Sequence, residues 1–272
     1  RHDGGSRRHA VPVSPALLNG QPASADDLRA LALVNYGHFS SMQVRNRAVQ
    51  GIELHRQRLV SGTRELFGTT LDFAAVCTQM RDAVADMPDC TLRVTLFSRH
   101  FDYRNPTQAH EPDVLVSLAP PSPVRRQGLR VKSFRFQRPL PQVKHVGTFP
   151  LFHYRRQAVA MGFDDALFVD PVGAISEGSL WNMGFWKRGG VVWPEAPALR
   201  GTAEQLLQTG LAQLGVEQVV RPVNLAELPE FEGAFACNAG GIQSIAAVDE
   251  TVFGSIQDGM DRLEAALALG AW

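Results

Sequence analysis

The sequence predicts a mixed α/β (α+β) protein of two domains, the smaller one N-terminal and the larger one C-terminal. Helical and strand-like patterns of apolar residues alternate along the chain. Its 272 residues are enough for two moderate hydrophobic cores. Residues 119–128 contain three prolines, polar residues and a glycine, which is typical of a linker. We therefore expect domains at residues 11–118 and 129–272.

The elements of the N-terminal half are predicted from caps, turns and periodicity. The polar residues 1–10, rich in glycine, arginine and histidine, are expected to be disordered. Ser24 is a typical helix N-cap and Gly68 a typical helix end. The predicted elements are a strand end with a turn at residues 17–20, helices at 26–34, about 54–67 and 72–87, and strands at 92–97 and 114–118.

The C-terminal half predicts strands that alternate with helices and close turns. Asp170-Pro171-Val172-Gly173 is typical of a tight turn, and Gly189-Gly190 lies at the centre of a predicted hairpin. The remaining predicted elements are helices at residues 152–161 and 202–214, and strands at 166–169, 182–186, 191–193 and 235–238.

Composition argues against several classes of function. The formal net charge is zero and 20% of the residues are charged, which does not suggest binding to nucleic acid or to an anionic membrane. No segment is apolar for long enough to cross a bilayer, and no signal-peptide pattern is present. Three widely spaced cysteines fit a reducing compartment, and the eight histidines form no metal-binding motif. We expect a soluble cytoplasmic protein without a metal site.

Lysine is rare in this chain, and the rarity draws attention to Lys144. Only three of the 27 basic residues are lysines. A primary amine condenses with an aldehyde, whereas a guanidinium does not. Lys144 has apolar neighbours, and burial would lower the pKa of its amine and free the lone pair. Lys132 lies in a predicted strand that points its side chain to solvent. Lys187 lies in a polar turn. Alternatively, three lysines simply remained after genome composition favoured arginine.

A carboxylate and two turns that suit an anion follow Lys144 in the sequence. Glu177 lies beyond one predicted helix and one predicted strand. Gly201 opens a helix whose first N–H groups can bind an anion. Ala239-Gly240-Gly241 follows a strand and offers further backbone donors. A lysine for an imine, an acid for the ring nitrogen and turns for the phosphate are what pyridoxal 5′-phosphate requires.

The chain resembles the fold type IV pyridoxal-phosphate enzymes over about residues 36–249. That family includes branched-chain and D-amino-acid aminotransferases and aminodeoxychorismate lyase. The motifs that carry the resemblance occur in the family's order: Tyr36-Gly37, Arg58-Leu59, Lys144-His145, Ser176-Glu177-Gly178-Ser179 with Asn182, Gly201-Thr202 and Asn238-Ala239-Gly240-Gly241-Ile242. The resemblance implies a barrel-like sheet in the larger domain, a cofactor between the domains, and a homodimer in which one subunit's loop reaches the other's site.

The resemblance also implies roles for individual residues. Lys144 resembles the lysine that forms the imine, Glu177 the acid that keeps the pyridine nitrogen protonated, and Arg58 the arginine that binds the phosphate. Thr202 and Ala203 occupy the phosphate turn, and Asn238 the second phosphate position. Simpler interpretations remain for three of them: Glu177 as a solvated loop acid, Arg58 as a surface residue and Thr202 as a helix cap.

Substrate-binding residues are predicted from charge. A substrate carboxylate would need cations, and the candidates in the N-terminal half are Arg45, Arg93, Arg99 and His100. Tyr36 either closes the pocket or packs in the core. Two positions depart from the family pattern: Ser41-Met42 stands where many members have Phe-Glu, and Phe149 stands where many transaminases have a tyrosine that donates to the cofactor.

The sequence therefore predicts a pyridoxal-phosphate-dependent aminotransferase that acts on an amino acid and a keto acid. One alternative is an elimination like that of aminodeoxychorismate lyase, which yields an aromatic amine and pyruvate. A second alternative is a binding protein that has kept the fold without catalysis.

Overall fold

The structure is a computed structural model that describes residues 16–123 and 127–272, and it consists of two β-sheets with helices packed on them. The predicted disorder of residues 1–10 and part of the predicted linker lie outside the described residues. The helices are α1 (Arg29–Val34), α2 (Ile52–Phe67), α3 (Phe73–Ala83), α4 (Phe149–Ala160), α5 (Thr202–Gln213) and α6 (Gln257–Ala268), with a short 3₁₀ helix at Leu225–Glu230.

The strands follow one another from Leu17 to Val252. They are β1 (Leu17–Leu18), β2 (Gln21–Pro22), β3 (Gly37–Arg45), β4 (Ala48–Val49), β5 (Cys90–Phe97), β6 (Asp113–Ala119), β7 (Leu129–Arg135), β8 (Asp165–Val169), β9 (Ile175–Gly178), β10 (Asn182–Lys187), β11 (Gly190–Pro194), β12 (Gln218–Arg221), β13 (Gly233–Asn238), β14 (Gly241–Val248) and β15 (Thr251–Val252). The mixed α/β prediction is confirmed.

The N-terminal sheet is antiparallel, in the order β2-β1-β6-β5-β3-β4. Because side chains alternate along a strand, β3 turns Met42 toward α2 and α3 and turns Ser41 to the opposite face. Met42, Leu59 of α2 and Val76 of α3 belong to one buried cluster. The opposite face is left free to line a cavity.

The C-terminal sheet is strongly curled, and its interior holds the main hydrophobic core. The strand order is β12-β11-β10-β13-β14-β7-β8-β9, with β15 paired to β14. The last strand in this order, β9, returns to β10 through a turn closed by the N–H of Gly178 and the carbonyl of Trp181, 2.8 Å apart. Helices α5 and α6 pack on the outside of β10, β11 and β13, and α4 packs on β7 and β8.

The two halves together form a two-domain architecture of the mixed α/β class. The chain passes from the first sheet to the second between Ala119 and Leu129. We propose this passage, residues 119–128, as the domain boundary. Within the described part of the chain, no helix combines the length and the apolar character that a bilayer crossing would need.

Several predicted elements differ from the observed ones at their ends. Helix α1 begins at Arg29 rather than at residue 26, because Ser24 and Asp27 bond to each other and close a separate turn first. Helix α3 ends at Ala83, four residues earlier than predicted, and α4 begins at Phe149, three residues earlier. The helix that Gly68 closes and the hairpin of β10 and β11 are confirmed.

Strand β3 and helix α6 were not predicted. In β3 the face that packs on α2 includes His38 and Ser40, which are buried and hydrogen-bonded to side chains of α2. Buried polar residues on an inner face remove the alternation of apolar and polar residues by which a strand is recognised.

Candidate active site

A cavity of about 670 Å³ lies between the two sheets and is lined by residues of both halves. This size is in the range of small-molecule sites in proteins. Five of the six predicted cofactor-binding residues line it: Arg58, Lys144, Glu177, Thr202 and Asn238. They come from α2, the loop before α4, β9, α5 and β13, so residues far apart in the sequence meet in one space.

Lys144 is held in the cavity wall by its own backbone. Its carbonyl accepts the N–H of Phe39 at 2.9 Å, and the N–H of Val146 donates to the carbonyl of Gly37 at 2.9 Å. Strand β3 of the first sheet thus fixes the loop that carries the lysine. The ammonium nitrogen Nζ lies 5.0 Å from the centroid of the Phe39 ring.

The amine of Lys144 has an environment that favours its neutral form. Its pKa is lowered from 10.5 to about 7, chiefly by burial and then by the positive charges of Arg58 and Arg138, while Glu177 acts in the opposite direction. Within the described residues no carboxylate lies within ion-pairing distance of Nζ. The other two lysines are both paired, Lys132 with Asp249 and Lys187 with Glu230. Lys132 therefore does not simply point to solvent as predicted.

Glu177 forms a buried ion pair that the sequence did not predict. Its carboxylate accepts Arg138 Nε at 3.0 Å and Arg138 Nη2 at 3.3 Å, and also the N–H of Leu199 at 3.4 Å. Both side chains are almost fully buried. The interpretation of Glu177 as a solvated loop acid is wrong, because it lies in strand β9. Arg138 sits in an irregular loop, and no local pattern in the sequence marked it.

The turn after Glu177 is fixed by Asp165. This buried carboxylate accepts Ser179 Oγ at 2.6 Å and Trp181 Nε1 at 3.1 Å. The Trp181 ring lies so close over Gly178 that a Cβ there would be 2.0 Å from a ring carbon. Only glycine fits at this position, and the packing holds the strand that carries Glu177.

One end of the cavity is suited to an anion. Arg58 donates to the carbonyl of Arg200 at 2.8 Å, but no carboxylate pairs with it among the described residues. Burial, and secondarily the charge of Arg138, lowers its pKa to about 10. Thr202 and Ala203 are the first two residues of α5, where backbone N–H groups lack intrahelical acceptors. A partly buried guanidinium without a counter-ion is costly, so an anion bound here would stabilise it.

Asn238 and Ala203 border the same end. Asn238 donates to the carbonyl of Leu180 at 3.2 Å and accepts the N–H of Gly240 at 2.8 Å. Ala203 lines a smaller cavity of about 240 Å³ that shares Thr202 and Asn238 with the main one.

The predicted carboxylate-binding residues are not brought together. Arg93 lines the main cavity and Arg45 the smaller one, where Arg45 donates to Gln43 and to the carbonyl of Val44. Tyr36, Arg99 and His100 do not line either cavity. Tyr36 donates to the carbonyl of Leu66 and stacks on Phe101.

Arg99 is neutralised by two acids. It pairs with Asp27 at 2.6 Å and with Asp113 at 3.0 Å.

The residues that depart from the family pattern lie in different parts of the structure. Phe149 is 75% exposed at the start of α4 and lies outside the cavity. Ser41 lines the cavity, whereas Met42 is buried in the core.

Comparisons with known proteins agree with this geometry. A family model described as amino-transferase class IV matches residues 37–248. No curated protein sequence is similar enough to this chain to count as a match.

Several solved structures share the fold. A branched-chain aminotransferase from Thermoproteus uzoniensis with norvaline is 18% identical, with a TM-score of 0.82 and coverage of 93% of each chain. A 4-amino-4-deoxychorismate lyase from Pseudomonas aeruginosa is 25% identical, with a TM-score of 0.76, and 90% of this chain covers 96% of that one. A hypothetical aminotransferase from Mycobacterium tuberculosis in a PLP-bound form is 20% identical, with a TM-score of 0.77, and 93% of this chain covers 99% of that one.

Proposed function

The chain belongs to the amino-transferase class IV family, and from that membership we propose that it is an aminotransferase that moves an amino group between an amino acid and a keto acid. Enzymes of this family use pyridoxal 5′-phosphate. The observation that carries the proposal is the amine of Lys144, whose pKa is lowered to about 7 in a cavity with an anion site at one end.

The residues of the cavity fit this cofactor. Arg58, without a carboxylate partner in the described residues, and the first N–H groups of α5 at Thr202 and Ala203 would hold the phosphate, with Asn238 beside them. When bound, the cofactor supplies an aldehyde that condenses with amines and a pyridinium ring that withdraws electrons from the substrate's α-carbon.

We assign the proton-handling groups as follows. Nζ of Lys144 would take up the proton that leaves the substrate's α-carbon, because an amine with a pKa near 7 both accepts and returns a proton at neutral pH. Glu177 would hold the proton on the ring nitrogen. The two donors of Arg138 keep the Glu177 carboxylate in one orientation and its charge compensated.

The substrate's carboxylate would meet Arg93. Its guanidinium lies 3.6 Å from the centroid of the Phe39 ring and donates to Thr95, and no carboxylate pairs with it in the described part of the chain. Burial lowers its pKa. Arg93 pairs across the sheet with Ser41, and the next pair on the same face is Gln43 with Thr91. This wall of the cavity is therefore polar.

That polar wall is also the observation that favours the alternative function. A substrate with a second polar or acidic group suits these side chains better than a branched alkyl group does. An elimination like that of aminodeoxychorismate lyase, which yields an aromatic amine and pyruvate, would use the same lysine and the same acid.

The test begins with cofactor uptake. Purified protein incubated with pyridoxal 5′-phosphate is expected to turn yellow, and borohydride reduction followed by peptide mass spectrometry should place the pyridoxyl group on Lys144. Lys144→Ala should abolish the label, while Lys132→Ala, which changes an ion-paired lysine, should leave it in place. A label on Lys132 or Lys187 in the wild-type protein would refute the assignment. A colourless protein that takes up no cofactor would favour the non-catalytic alternative.

Two assays then separate transfer from elimination. Conversion of a keto acid to its amino acid, measured with a panel of L- and D-amino-acid donors, supports the aminotransferase. Release of pyruvate without any keto-acid acceptor supports elimination.

We also propose that the protein is a cytoplasmic homodimer. Its three cysteines are free thiols, which suits a reducing compartment. Helix α4 buries Leu151 and Ala158 against β8, yet it also exposes the large apolar residues Phe149 and Val159 outside the cavity and Phe152 at the cavity's border. A helix that is apolar on both sides is normally covered on both sides, and a second copy of the chain would cover this face.

A further inference from the structure

His55 in α2 is a buried histidine to which the proposed function has given no role. Its side chain is 2% exposed. It lines the smaller cavity, whose wall includes Thr202, Ala203 and Asn238. The histidine therefore borders the end of the site where the free N–H groups of α5 and the guanidinium of Arg58 converge.

The hydrogen bonds of Ser40 determine which nitrogen of His55 carries the proton. Ser40 Oγ lies 2.7 Å from His55 Nδ1 and 3.4 Å from Arg58 Nη1. A guanidinium only donates, so among the described residues Nδ1 is the one acceptor within reach of the buried Ser40 O–H, and this O–H donates to it. His55 then carries its proton on Nε2. No hydrogen-bond partner for Nε2 is found in residues 16–123 and 127–272, which leaves that N–H available to the cavity.

The surroundings of His55 keep its ring neutral. Burial, with the positive charges of Arg58 and Lys144 as smaller causes, lowers its pKa to about 3. A neutral imidazole donates one hydrogen bond and accepts one without adding charge beside the guanidinium of Arg58. A bound acceptor in the smaller cavity would satisfy the Nε2–H of His55.

We propose that His55 is a further cofactor-binding residue: its Nε2–H donates to an oxygen of the cofactor's phosphate, while its Nδ1 holds Ser40 against Arg58. The inference rests on the proposed function for the presence of pyridoxal 5′-phosphate. The ligand class that it requires is more general, namely a phosphate monoester or inorganic phosphate.

Two substitutions separate the two nitrogens. The amide nitrogen of glutamine reaches about as far as Nε2, whereas that of asparagine reaches only the position of Nδ1. His55→Asn is expected to weaken the binding of pyridoxal 5′-phosphate to the cofactor-free protein about tenfold, and His55→Gln to weaken it less than about threefold. Absorbance titration gives both dissociation constants. Neither change should affect the binding of pyridoxal, which has the same ring and aldehyde but no phosphate.

The outcomes discriminate between the donor role and packing. Equal losses for His55→Asn and His55→Gln, a matching loss for pyridoxal, or no loss at all would each overturn the proposal. Should H55N fail to fold, Ser40→Ala serves instead, because it removes the hydroxyl that fixes the tautomer and contacts Arg58. Its expected loss is about threefold and again confined to the phosphorylated ligand.

A phosphate titration keeps this proposal separate from the proposed function. Inorganic phosphate should raise the melting temperature of the cofactor-free wild-type protein and of H55Q, and raise that of H55N much less. If phosphate has this pattern of effects but pyridoxal 5′-phosphate does not bind, the proposed function fails and the role of His55 stands. If phosphate stabilises all three proteins equally, the role of His55 fails whatever the cofactor does.

Discussion

At the residue scale, the chemistry proposed for Lys144 has a cost in stability that can be measured. Its pKa is about 7 in the folded protein and 10.5 when exposed, so the folded state disfavours the charged amine. The cost is fully present below pH 7, where both states are protonated, and it declines as the pH rises from 7 toward 10.5. Stability contributed by this residue thus increases with pH across that window.

Lys144→Met should therefore stabilise the cofactor-free protein although it removes the proposed chemistry. Methionine has a similar length without a charge, and we expect a gain of about 1–3 kcal/mol at pH 7 that shrinks toward pH 10. Urea unfolding at pH 6.5 and pH 9.5 measures it. Lys132→Met is the control, since it breaks the ion pair with Asp249 and should not stabilise. If K144M is less stable than the wild-type protein at pH 6.5, burial of the charged amine does not destabilise the folded protein.

At the element scale, the start of helix α5 is the part of the site that can be altered through the backbone alone. Thr202 is the first helical residue, and Gly201 before it has φ −66° and ψ 145°. Those are angles that a residue before proline adopts readily, and proline is well tolerated at the first position of a helix. Thr202→Pro therefore removes one N–H group with little effect on the helix.

Thr202→Pro is expected to weaken pyridoxal 5′-phosphate binding about tenfold more than Thr202→Ala does. The alanine variant loses the hydroxyl but keeps the N–H, so the difference between the two isolates the backbone donor. Dissociation constants from absorbance titration, with melting temperatures of both cofactor-free variants, provide the measurement. Equal affinities in two variants of equal stability would exclude the N–H of Thr202 from the anion site.

The sequence predicts the elements and residues that carry local signals, and it does not predict those that depend on contacts between distant positions. Helix α2 was predicted because its apolar spacing and its closing Gly68 are local signals, and the loop bearing Lys144 was singled out because the lysine is chemically unusual in this chain. Arg138 was missed because its importance comes from Glu177, which is 39 positions away and touches it only in the folded protein. His55 was not predicted for the same reason: its contact with Ser40 forms only in the folded protein. Ser40 lies on strand β3, whose buried polar residues conceal the alternation typical of a strand.

At the scale of the whole molecule, each of the two sheets has its own hydrophobic core, and the cavity between the sheets is lined by residues of both. Phe39 and Arg93 reach it from the first sheet, and Glu177 and Asn238 from the second. The backbone bonds from Phe39 to Lys144 and from Val146 to Gly37 tie the first sheet to the loop that carries the reactive amine. The geometry of the site therefore depends on the relative position of the two halves. An assembly that holds the two halves rigidly would also keep the site residues in place.

The exposed apolar face of α4 predicts that this assembly is a dimer. Light scattering after size-exclusion chromatography should give twice the chain's mass of 29.8 kDa. Val159→Asp places a charge on the face, at a residue outside the cavity, and should shift the protein to the monomer because burying an unpaired carboxylate is costly. Val172→Asp is the matched control, since Val172 is 87% exposed in the turn between β8 and β9. A monomeric wild type, or a V159D variant that stays dimeric, would rule out α4 as the interface.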